Sequence, residues 1–181
     1  MADYTVSHPV LFCDADPDWS SICEHGDPFK PAANGPSRTR WRPVRRDSAT
    51  ADFAGLENAL QDEIHRDVKI HYGSYWSNTL FAQAPEGPVD LIYLWNEQDI
   101  DRLIENLIGH VVACRNNKVP FAAFFATTGE SSEHFLSVNN KSGVVQLELP
   151  GKGVVREVAE NLASFYHSLV PSLDDISQHS Y

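Results

Sequence analysis

The residue types that bind metals occur in this 181-residue chain without the spacing that a metal site requires. Cys13, Cys23 and His25 are irregularly spaced, and no fourth ligand is in sight. His65 and His71 lack the i, i+4 spacing and the acidic neighbour of a zinc protease. We therefore predict free thiols and surface histidines, with neither a metal ion nor any other cofactor.

Motifs that would hold a nucleophile or a phosphate group are incomplete. Gly73-Ser-Tyr lacks the paired glycines of a nucleophile elbow. Gly151-Lys-Gly lacks the preceding glycine and the following Ser or Thr of a phosphate-binding loop. His110 falls within an amphipathic helical pattern, where a histidine more often packs and hydrogen-bonds than catalyses. We predict no catalytic residue and a protein that is not an enzyme.

An acidic segment indicates another kind of chemistry, the binding of a cationic partner. Asn96-Glu-Gln-Asp-Ile-Asp is followed by Glu105, and with Trp95 and the aromatic segment at residues 72–76 these charges could form a negative surface for a basic peptide. Carboxylates in a first helical turn also cap free N–H groups and offset the helix dipole. That structural role would explain Glu97, Asp99 and Asp101 without a partner. The residues alone leave both interpretations open.

A basic cluster precedes the acidic part of the chain. It could meet phosphate, with Trp41 stacking on a base, and its members are Arg38, Arg40, Arg42, Arg45 and Arg46. Residues 47–181 carry the whole net charge of -11, because acids and bases balance in residues 1–46. Such an acidic body repels nucleic acid and attracts basic partners, although acidity can also serve solubility alone. We predict that the cluster is neutralised within the molecule and that neither nucleic acid nor a small-molecule substrate is the partner.

Length and composition predict one folded, cytoplasmic domain. The chain is 42% hydrophobic and 22% charged, as is usual for soluble globular proteins. Polar residues interrupt the longest apolar stretch, which falls short of the roughly 20 residues of a membrane span. The start lacks the basic and apolar regions of a signal sequence. The three cysteines, an odd number, are therefore expected to stay reduced.

The front of the chain is predicted to be poor in regular structure. Residues 1–37 are rich in Pro, Asp, Gly and Ser and predict a loop-rich N-terminal arm. Residues 37–45 predict an edge strand, because Pro43 cannot donate to a central ladder. Residues 47–50 then supply caps for a helix. The apolar face of that helix comprises Phe53, Leu56, Leu60 and Ile64.

The middle of the chain predicts a hairpin followed by a long helix. Residues 79–83 and 89–94 flank Pro85-Glu-Gly-Pro and predict paired strands. The helix ends before Pro120 and is expected to lie across a sheet. Its core-facing stripe comprises Ile100, Leu103, Ile104, Leu107, Ile108, Val111 and Val112.

The last third predicts three strands and a final helix. Short turn-rich segments join residues 121–126, 134–139 and 144–148, which predicts antiparallel pairing. The final helix ends before Pro171, with Val155, Val158, Leu162, Phe165, Tyr166 and Leu169 on one side. Because the short connections leave no room for crossover helices, the fold class is α+β, a mostly antiparallel sheet of about five or six strands with helices packed on it. The domain would span residues 38–171, with a polar tail at residues 172–181.

Six segments resemble the Syd family in its order and spacing, over about residues 20–171. They are Leu94-Trp-Asn-Glu-Gln-Asp-Ile, Glu105-Asn-Leu-Ile-Gly-His, Tyr72-Gly-Ser-Tyr-Trp-Ser, Trp41-Arg-Pro-Val-Arg-Arg, Leu136-Ser-Val-Asn-Asn-Lys-Ser-Gly and Asn161-Leu-Ala-Ser-Phe. Ser21-Ile-Cys-Glu is similar to the short Ser-x-Cys segment of the family. Family members usually begin with a longer helix before that segment, and residues 1–17 do not resemble it.

The resemblance implies a fold of the SUKH superfamily and a non-enzymatic protein that binds SecY, a subunit of the bacterial protein-translocation channel. It also implies a peripheral position on the cytoplasmic side of the inner membrane, where an acidic concave surface would meet the basic cytosolic loops of SecY. Binding would monitor or negatively regulate the channel. The candidate partner-binding residues are Trp95, Glu97, Asp99, Asp101, Glu105, Tyr75 and Trp76. SUKH relatives also include immunity proteins that neutralise basic toxins, and this alternative stays open.

Overall fold

Twelve strands and four α-helices form the fold in the computed structural model, which describes residues 11–32, 34–46, 53–129 and 132–172. The strands are β1 (Leu11–Asp14), β2 (Glu24–Phe29), β3 (Arg38–Trp41), β4 (Val44–Arg45), β5 (Tyr75–Trp76), β6 (Leu80–Ala84), β7 (Gly87–Leu91), β8 (Ala122–Thr127), β9 (Phe135–Asn139), β10 (Val145–Leu149), β11 (Gly153–Ala159) and β12 (Val170–Pro171). The helices are α1 (Ala54–Leu60), α2 (Arg66–Ser74), α3 (Gln98–Asn117) and α4 (Leu162–His167).

The main sheet has seven antiparallel strands in the order β11-β10-β9-β8-β7-β6-β12. The predicted hairpin is confirmed, since β6 and β7 pair with Leu80 opposite Leu91. The three later strands are confirmed as β8, β9 and β10, with Val138 paired to Ala123 on one side and to Val145 on the other. The α+β class is therefore confirmed. The sheet has seven strands instead of five or six because β11 and β12 lie where the sequence does not predict strands.

The predicted last helix is wrong in its first half. Residues 153–159 form β11, which pairs with β10, and the helix is confined to α4. Gly151 and Gly153 adopt positive φ angles of 73° and 80°, which allow a tight turn that sends the chain back along β10. The β-branched residues Val154 and Val155 then extend as an edge strand and stay half-exposed.

A second sheet of three antiparallel strands forms within residues 11–41. β3 lies between β1 and β2, and both Leu11 and Glu24 pair with Trp41. Two predictions are thereby corrected: residues 37–45 do not form an edge strand, and the loop-rich arm contains two strands. Pro43 does not interrupt the ladder, because it lies between β3 and β4. The division into an arm, a domain and a tail stays a prediction.

The helix after the basic cluster is shorter than predicted. α1 ends at Leu60 because Gln61 adopts a left-handed conformation with φ of 55°, and Ile64 is buried beyond it. A separate helix, α2, follows and is not predicted by the sequence. Nδ1 of His65 caps it by accepting a hydrogen bond of 3.2 Å from the N–H of Asp67. The predicted caps at residues 47–50 lie outside the described residues.

His71 in α2 contradicts the prediction of a surface histidine. Its side chain is buried at 3% exposure, and its Nε2 lies 2.7 Å from the carbonyl oxygen of Ile92. Hydrogen bonds to ring nitrogens make such burial possible, and the sequence gives no sign of them. His65 is partly buried.

α3 confirms the predicted long helix. Leu103, Leu107 and Val111 are buried, whereas Ile108 and Val112 are 41% and 50% exposed, so the assignment of these two to the core is wrong. The predicted stripe spans about half of the helix circumference, and only part of that arc meets the rest of the molecule. Within the described ranges, no helix is long and apolar enough to cross a membrane.

Candidate partner-binding surface

Trp95 lies between the three-stranded sheet and the start of α3. Its ring packs edge-on against Trp41, with ring centres 5.8 Å apart, and its Nε1 donates to the carbonyl oxygen of Trp19 at 3.0 Å. The hydroxyl of Ser21 donates to the carbonyl oxygen of Trp95. At 9% exposure, Trp95 positions the start of α3 and presents little surface to a partner.

Asp99 lies in the first turn of α3 and joins that turn to the preceding segment. Its Oδ2 accepts a hydrogen bond of 2.8 Å from the N–H of Trp95, and its own N–H donates to Oδ1 of Asn96 at 3.2 Å. The Asn96 side chain thus satisfies a free N–H of the first turn, and the Asp99 carboxylate holds the backbone of Trp95 against that turn. Oδ1 of Asp99 also lies 3.7 Å from Nη1 of Arg102. The structural interpretation therefore accounts for Asp99.

Three other carboxylates lie along one exposed side of α3. Glu97, Asp101 and Glu105 are exposed, and their four-residue spacing places them one turn apart on the same face. None of the ion pairs between described residues includes these three side chains. Like charges at this spacing destabilise a helix by about 0.2–0.5 kcal/mol per pair. The helix dipole acts within the first turn, so it does not explain Glu105.

Two exposed aliphatic side chains continue the same face. Ile108 lies three residues after Glu105, and Val112 lies four residues after Ile108. These spacings place both side chains on the same side of the helix as the carboxylates. We define the outer face of α3 as Glu97, Asp101, Glu105, Ile108 and Val112. Sequence reasoning missed the two aliphatic residues because it assigned the whole apolar stripe to the core. Their position on the same helix side as three carboxylates was the sequence signal that could have indicated their exposure.

Trp76 lies beside the start of α3. β5 pairs with β4, and a parallel bridge joins Trp76 to Leu94. The guanidinium carbon of Arg46 lies 4.0 Å from the centre of the Trp76 ring. Burial lowers the pKa of Arg46, and the charge of Glu97 opposes that effect. Glu97, Arg46 and Trp76 thus form one cluster, whereas Tyr75 lines a separate cavity near the end of α2.

Nearly the whole chain matches a known protein family. The family model described as Syd protein (SUKH-2) matches residues 2–171. The chain belongs to the Syd family. Protein Syd of Pseudoalteromonas atlantica is 34% identical over 160 residues, which cover 88% of this chain and 83% of that protein. Protein Syd of Colwellia psychrerythraea is 32% identical over 162 residues, covering 85% and 78%.

A further relative is longer than this chain. Protein Syd of Shewanella frigidimarina is 38% identical over 133 residues, which cover 74% of this chain and 61% of that protein. The match thus spans less than two thirds of that relative. The resemblance to the Syd family that the sequence segments predict is confirmed.

Three of the Syd-like segments meet at the candidate surface. Trp41-Arg-Pro-Val-Arg-Arg ends β3 and forms β4, Tyr72-Gly-Ser-Tyr-Trp-Ser ends α2 and forms β5, and Leu94-Trp-Asn-Glu-Gln-Asp-Ile begins α3. The contacts described above, between the rings of Trp41 and Trp95 and between Trp76 and Leu94, join them. Chain regions far apart in sequence are thereby fixed around the first turn of α3.

Two other Syd-like segments have structural roles elsewhere. In the segment that begins at Leu136, Oδ1 of Asn140 accepts from the N–H of His65 at 2.9 Å, and its Nδ2 donates to the carbonyl oxygen of Glu63 at 2.9 Å. In the segment that begins at Asn161, Oδ1 of that residue caps α4 by accepting from the N–H of Ser164 at 2.8 Å. Both asparagines hold helix starts in place and lie outside the candidate surface.

The thiols of this Syd-family chain are poorly suited to nucleophilic chemistry. Burial, with smaller effects of Glu24 and Asp14, raises the pKa of Cys13 to about 12. Burial also raises the pKa of Cys23 and of Cys114. A reactive cysteine needs a lowered pKa. Among the residues with described positions, no group of three His, Cys, Asp or Glu side chains could hold a metal ion.

The basic cluster contacts the three-stranded sheet and its surroundings. Nε of Arg38 lies 3.9 Å from Oδ1 of Asp14, and the guanidinium carbon of Arg40 lies 4.9 Å from the centre of the Phe29 ring. Of the five arginines only Arg38 forms an ion pair among the described residues, so neutralisation of the cluster within the molecule stays a prediction. The expectation that nucleic acid is not a partner stays a prediction.

Proposed function

We propose that this Syd-family protein binds SecY from the cytosolic side of the translocation channel through the outer face of α3. One observation carries the proposal. Glu97, Asp101 and Glu105 are exposed without an ion pair among the described residues, and Ile108 and Val112 extend the same face. Carboxylates that form no ion pair inside the molecule are available to a cationic partner.

A partner segment that fits this face is basic and partly apolar. The net charge of -11 steers cationic segments toward the protein and raises the association rate. Ile108 and Val112 add apolar contact, which acts mainly on the dissociation rate. The basic cytosolic loops of SecY have the required charge. Binding would hold the protein peripherally on the cytoplasmic side of the inner membrane, where it would monitor or negatively regulate SecY.

In this proposal some of the seven candidate residues contact the partner, and others hold the binding surface in place. Glu97, Asp101 and Glu105 contact the partner directly, and Trp76 flanks them through Arg46. Trp95 and Asp99 act indirectly by holding the start of α3. Tyr75 would contribute only at the margin, since it lines a different cavity.

Capture of SecY from inner-membrane vesicles tests the proposal. The immobilised full chain is incubated with vesicles at about 50 mM and about 300 mM NaCl, between which the Debye length falls from roughly 14 Å to roughly 6 Å. We expect SecY to be captured at low salt and several-fold less at high salt. Vesicles depleted of SecY are the control. Absence of capture at both salt concentrations by the folded protein contradicts the proposal.

A further inference from the structure

A groove of about 610 Å³ lies between α3 and the main sheet. Aromatic rings of Phe124 and Phe135 line it from β8 and β9, and the turn between β10 and β11 forms another wall. His110 and Ala113 line it from α3. These two positions point to a different side of the helix from the outer face.

Glu148 of β10 lines this groove as a buried carboxylate. Its residue exposure is 5%, and its Oε1 accepts a hydrogen bond from the hydroxyl of Ser137, which is fully buried. No ion pair between described residues includes Glu148. Lys152 lines the same groove from the turn, but it is exposed and forms no ion pair with Glu148. The groove thus contains an acceptor without a partner cation.

Gln146 is a buried side chain on the same face of β10, and it does not line the groove. Residues two apart on a strand share a face, and Gln146 is 8% exposed. Its Oε1 has no hydrogen-bond partner among the described residues. Buried acceptors without donors are rare in folded proteins because they are costly. Of these two side chains only Glu148 lines the groove, and its charge has no partner cation among the described residues.

The neighbouring side chains from α3 do not supply a charge for Glu148. Nε2 of His110 lies 3.7 Å from Sγ of Cys114, and the His110 ring packs against the ring of Phe135 with centres 5.7 Å apart. Burial, followed by the charge of Glu148, raises the pKa of Cys114. The thiol therefore keeps its proton beside the carboxylate and neither competes with a cation nor replaces it.

The guanidinium group of arginine fits this combination of a buried carboxylate and aromatic rings. A buried carboxylate is stable when a hydrogen-bonded cation pairs with it. Guanidinium is planar, carries five N–H donors and stacks on aromatic faces such as those of Phe124 and Phe135. The aliphatic stem of an arginine would lie along apolar wall residues. A lysine ammonium has fewer donors and does not stack in this way.

We propose that this groove is a pocket for an arginine side chain presented by a protein partner, with its guanidinium group paired to Glu148. The inference goes beyond SecY binding by the outer face, because it uses another side of α3 and requires no SecY. The groove would be a second site on the molecule that recognises a cationic group.

N-acetyl-arginine amide is the probe, and N-acetyl-citrulline amide is its uncharged isostere. Backbone amide NMR of the full chain is followed while each compound is added. We expect saturable shifts at residues of β8, β9 and β10 with arginine, and a dissociation constant on the order of 1 mM. N-acetyl-citrulline amide, and N-acetyl-lysine amide as a second, charged control, should bind at least about tenfold more weakly. Equal affinity for citrulline or for lysine would overturn the proposal.

Two pairs of variants locate the binding. Glu148→Gln keeps an acceptor for Ser137 but removes the charge, and it should weaken arginine binding at least about tenfold. Glu157→Gln, at an exposed position of β11, should change affinity less than about twofold. Ala113→Arg places a cation at the groove from an exposed helix position and should block the probe, whereas Ala163→Arg on α4 should not.

Unchanged arginine affinity in both Glu148→Gln and Ala113→Arg would overturn the pocket. Because Ala113 is exposed, its variant decides the matter if Glu148→Gln fails to fold. Neither experiment contains SecY, so a negative result here leaves the proposed function standing. Conversely, a failure to capture SecY leaves the arginine pocket standing.

Discussion

The hydroxyl of Tyr166 in α4 lies 2.5 Å from Nδ1 of His71 in α2, a contact between residues 95 positions apart. The other ring nitrogen, Nε2, lies 2.7 Å from the carbonyl oxygen of Ile92. A carbonyl oxygen only accepts, so Nε2 carries the proton and Nδ1 accepts from the Tyr166 hydroxyl. Burial favours the neutral ring, in which both nitrogens are hydrogen-bonded.

This arrangement predicts a loss of stability in acid. Burial lowers the pKa of His71 to about 4 from an ordinary value of 6.5. Between these values the unfolded chain binds a proton that the folded chain does not, so the free energy of unfolding falls as pH falls from 6.5 towards 4. Above pH 6.5 His71 adds nothing to the pH dependence of the free energy of unfolding. We expect a loss of about 3 kcal/mol, measured by urea denaturation at several pH values.

A His71→Gln variant isolates this effect. Glu57 and Asp62 also have a lowered pKa, because hydrogen bonds to Lys69 and Lys141 favour their charged forms, so they too lose stability in acid. The informative quantity is the difference in slope between the wild type and the variant. His167→Gln, at an exposed position, is the matched control. A wild-type slope that persists in His71→Gln would refute the assignment.

Two carboxylates in the first turn of α3, Asp99 and Asp101, should differ in their contribution to the free energy of unfolding. Asp99→Ala removes the carboxylate that accepts a hydrogen bond from the N–H of Trp95 and should lower the free energy of unfolding by about 1 kcal/mol. Asp101→Ala, two residues away and exposed, should change it by less than about 0.5 kcal/mol. Urea denaturation of both variants checks this order. If Asp101→Ala were the more destabilising variant, the roles assigned to the two carboxylates would be reversed.

Gly143 should tolerate alanine less well than Gly151. Both have positive φ angles, 77° and 73°, so alanine carries a left-handed strain of about 1–2 kcal/mol at either site. A Cβ at Gly143 would lie only 2.7 Å from the ring of His65, whereas one at Gly151 meets nothing within 4 Å. We expect Gly143→Ala to be at least about 1 kcal/mol more destabilising than Gly151→Ala, because the His65 ring that caps α2 must move. Equal losses in thermal or urea unfolding would show that the ring yields freely.

Local patterns in the sequence were sufficient for the long and strongly periodic elements. The β6–β7 hairpin, the three strands β8 to β10 and the helix α3 follow from turn chemistry and hydrophobic period. β11 was mistaken for a helix because Val155, Val158 and Leu162 also fit a helical period, and the turn glycines decided otherwise. The three-stranded sheet was missed because its strands pair across long, turn-rich connections that carry no local signal.

Part of the candidate surface was predictable, because helical spacing alone shows which side chains share a face. The spacing of Glu97, Asp101 and Glu105 already places three carboxylates on one helix face. Whether Trp95 is buried depends on Trp19 and Trp41, which are distant in sequence and contact it only in the folded chain. The exposure of Ile108 and Val112 likewise depends on which arc of α3 meets the core.

The most direct test of SecY binding by the outer face compares two triple variants of equal charge. One carries Glu97→Lys, Asp101→Lys and Glu105→Lys, and the other reverses the exposed residues Glu133, Glu157 and Glu160 to lysine. Circular dichroism first confirms that both are folded, and capture of SecY from vesicles is then measured at about 50 mM NaCl. We predict at least about tenfold weaker capture by the first variant and a change below about threefold in the second. Equal capture by the two variants would contradict the assignment of SecY binding to the outer face of α3.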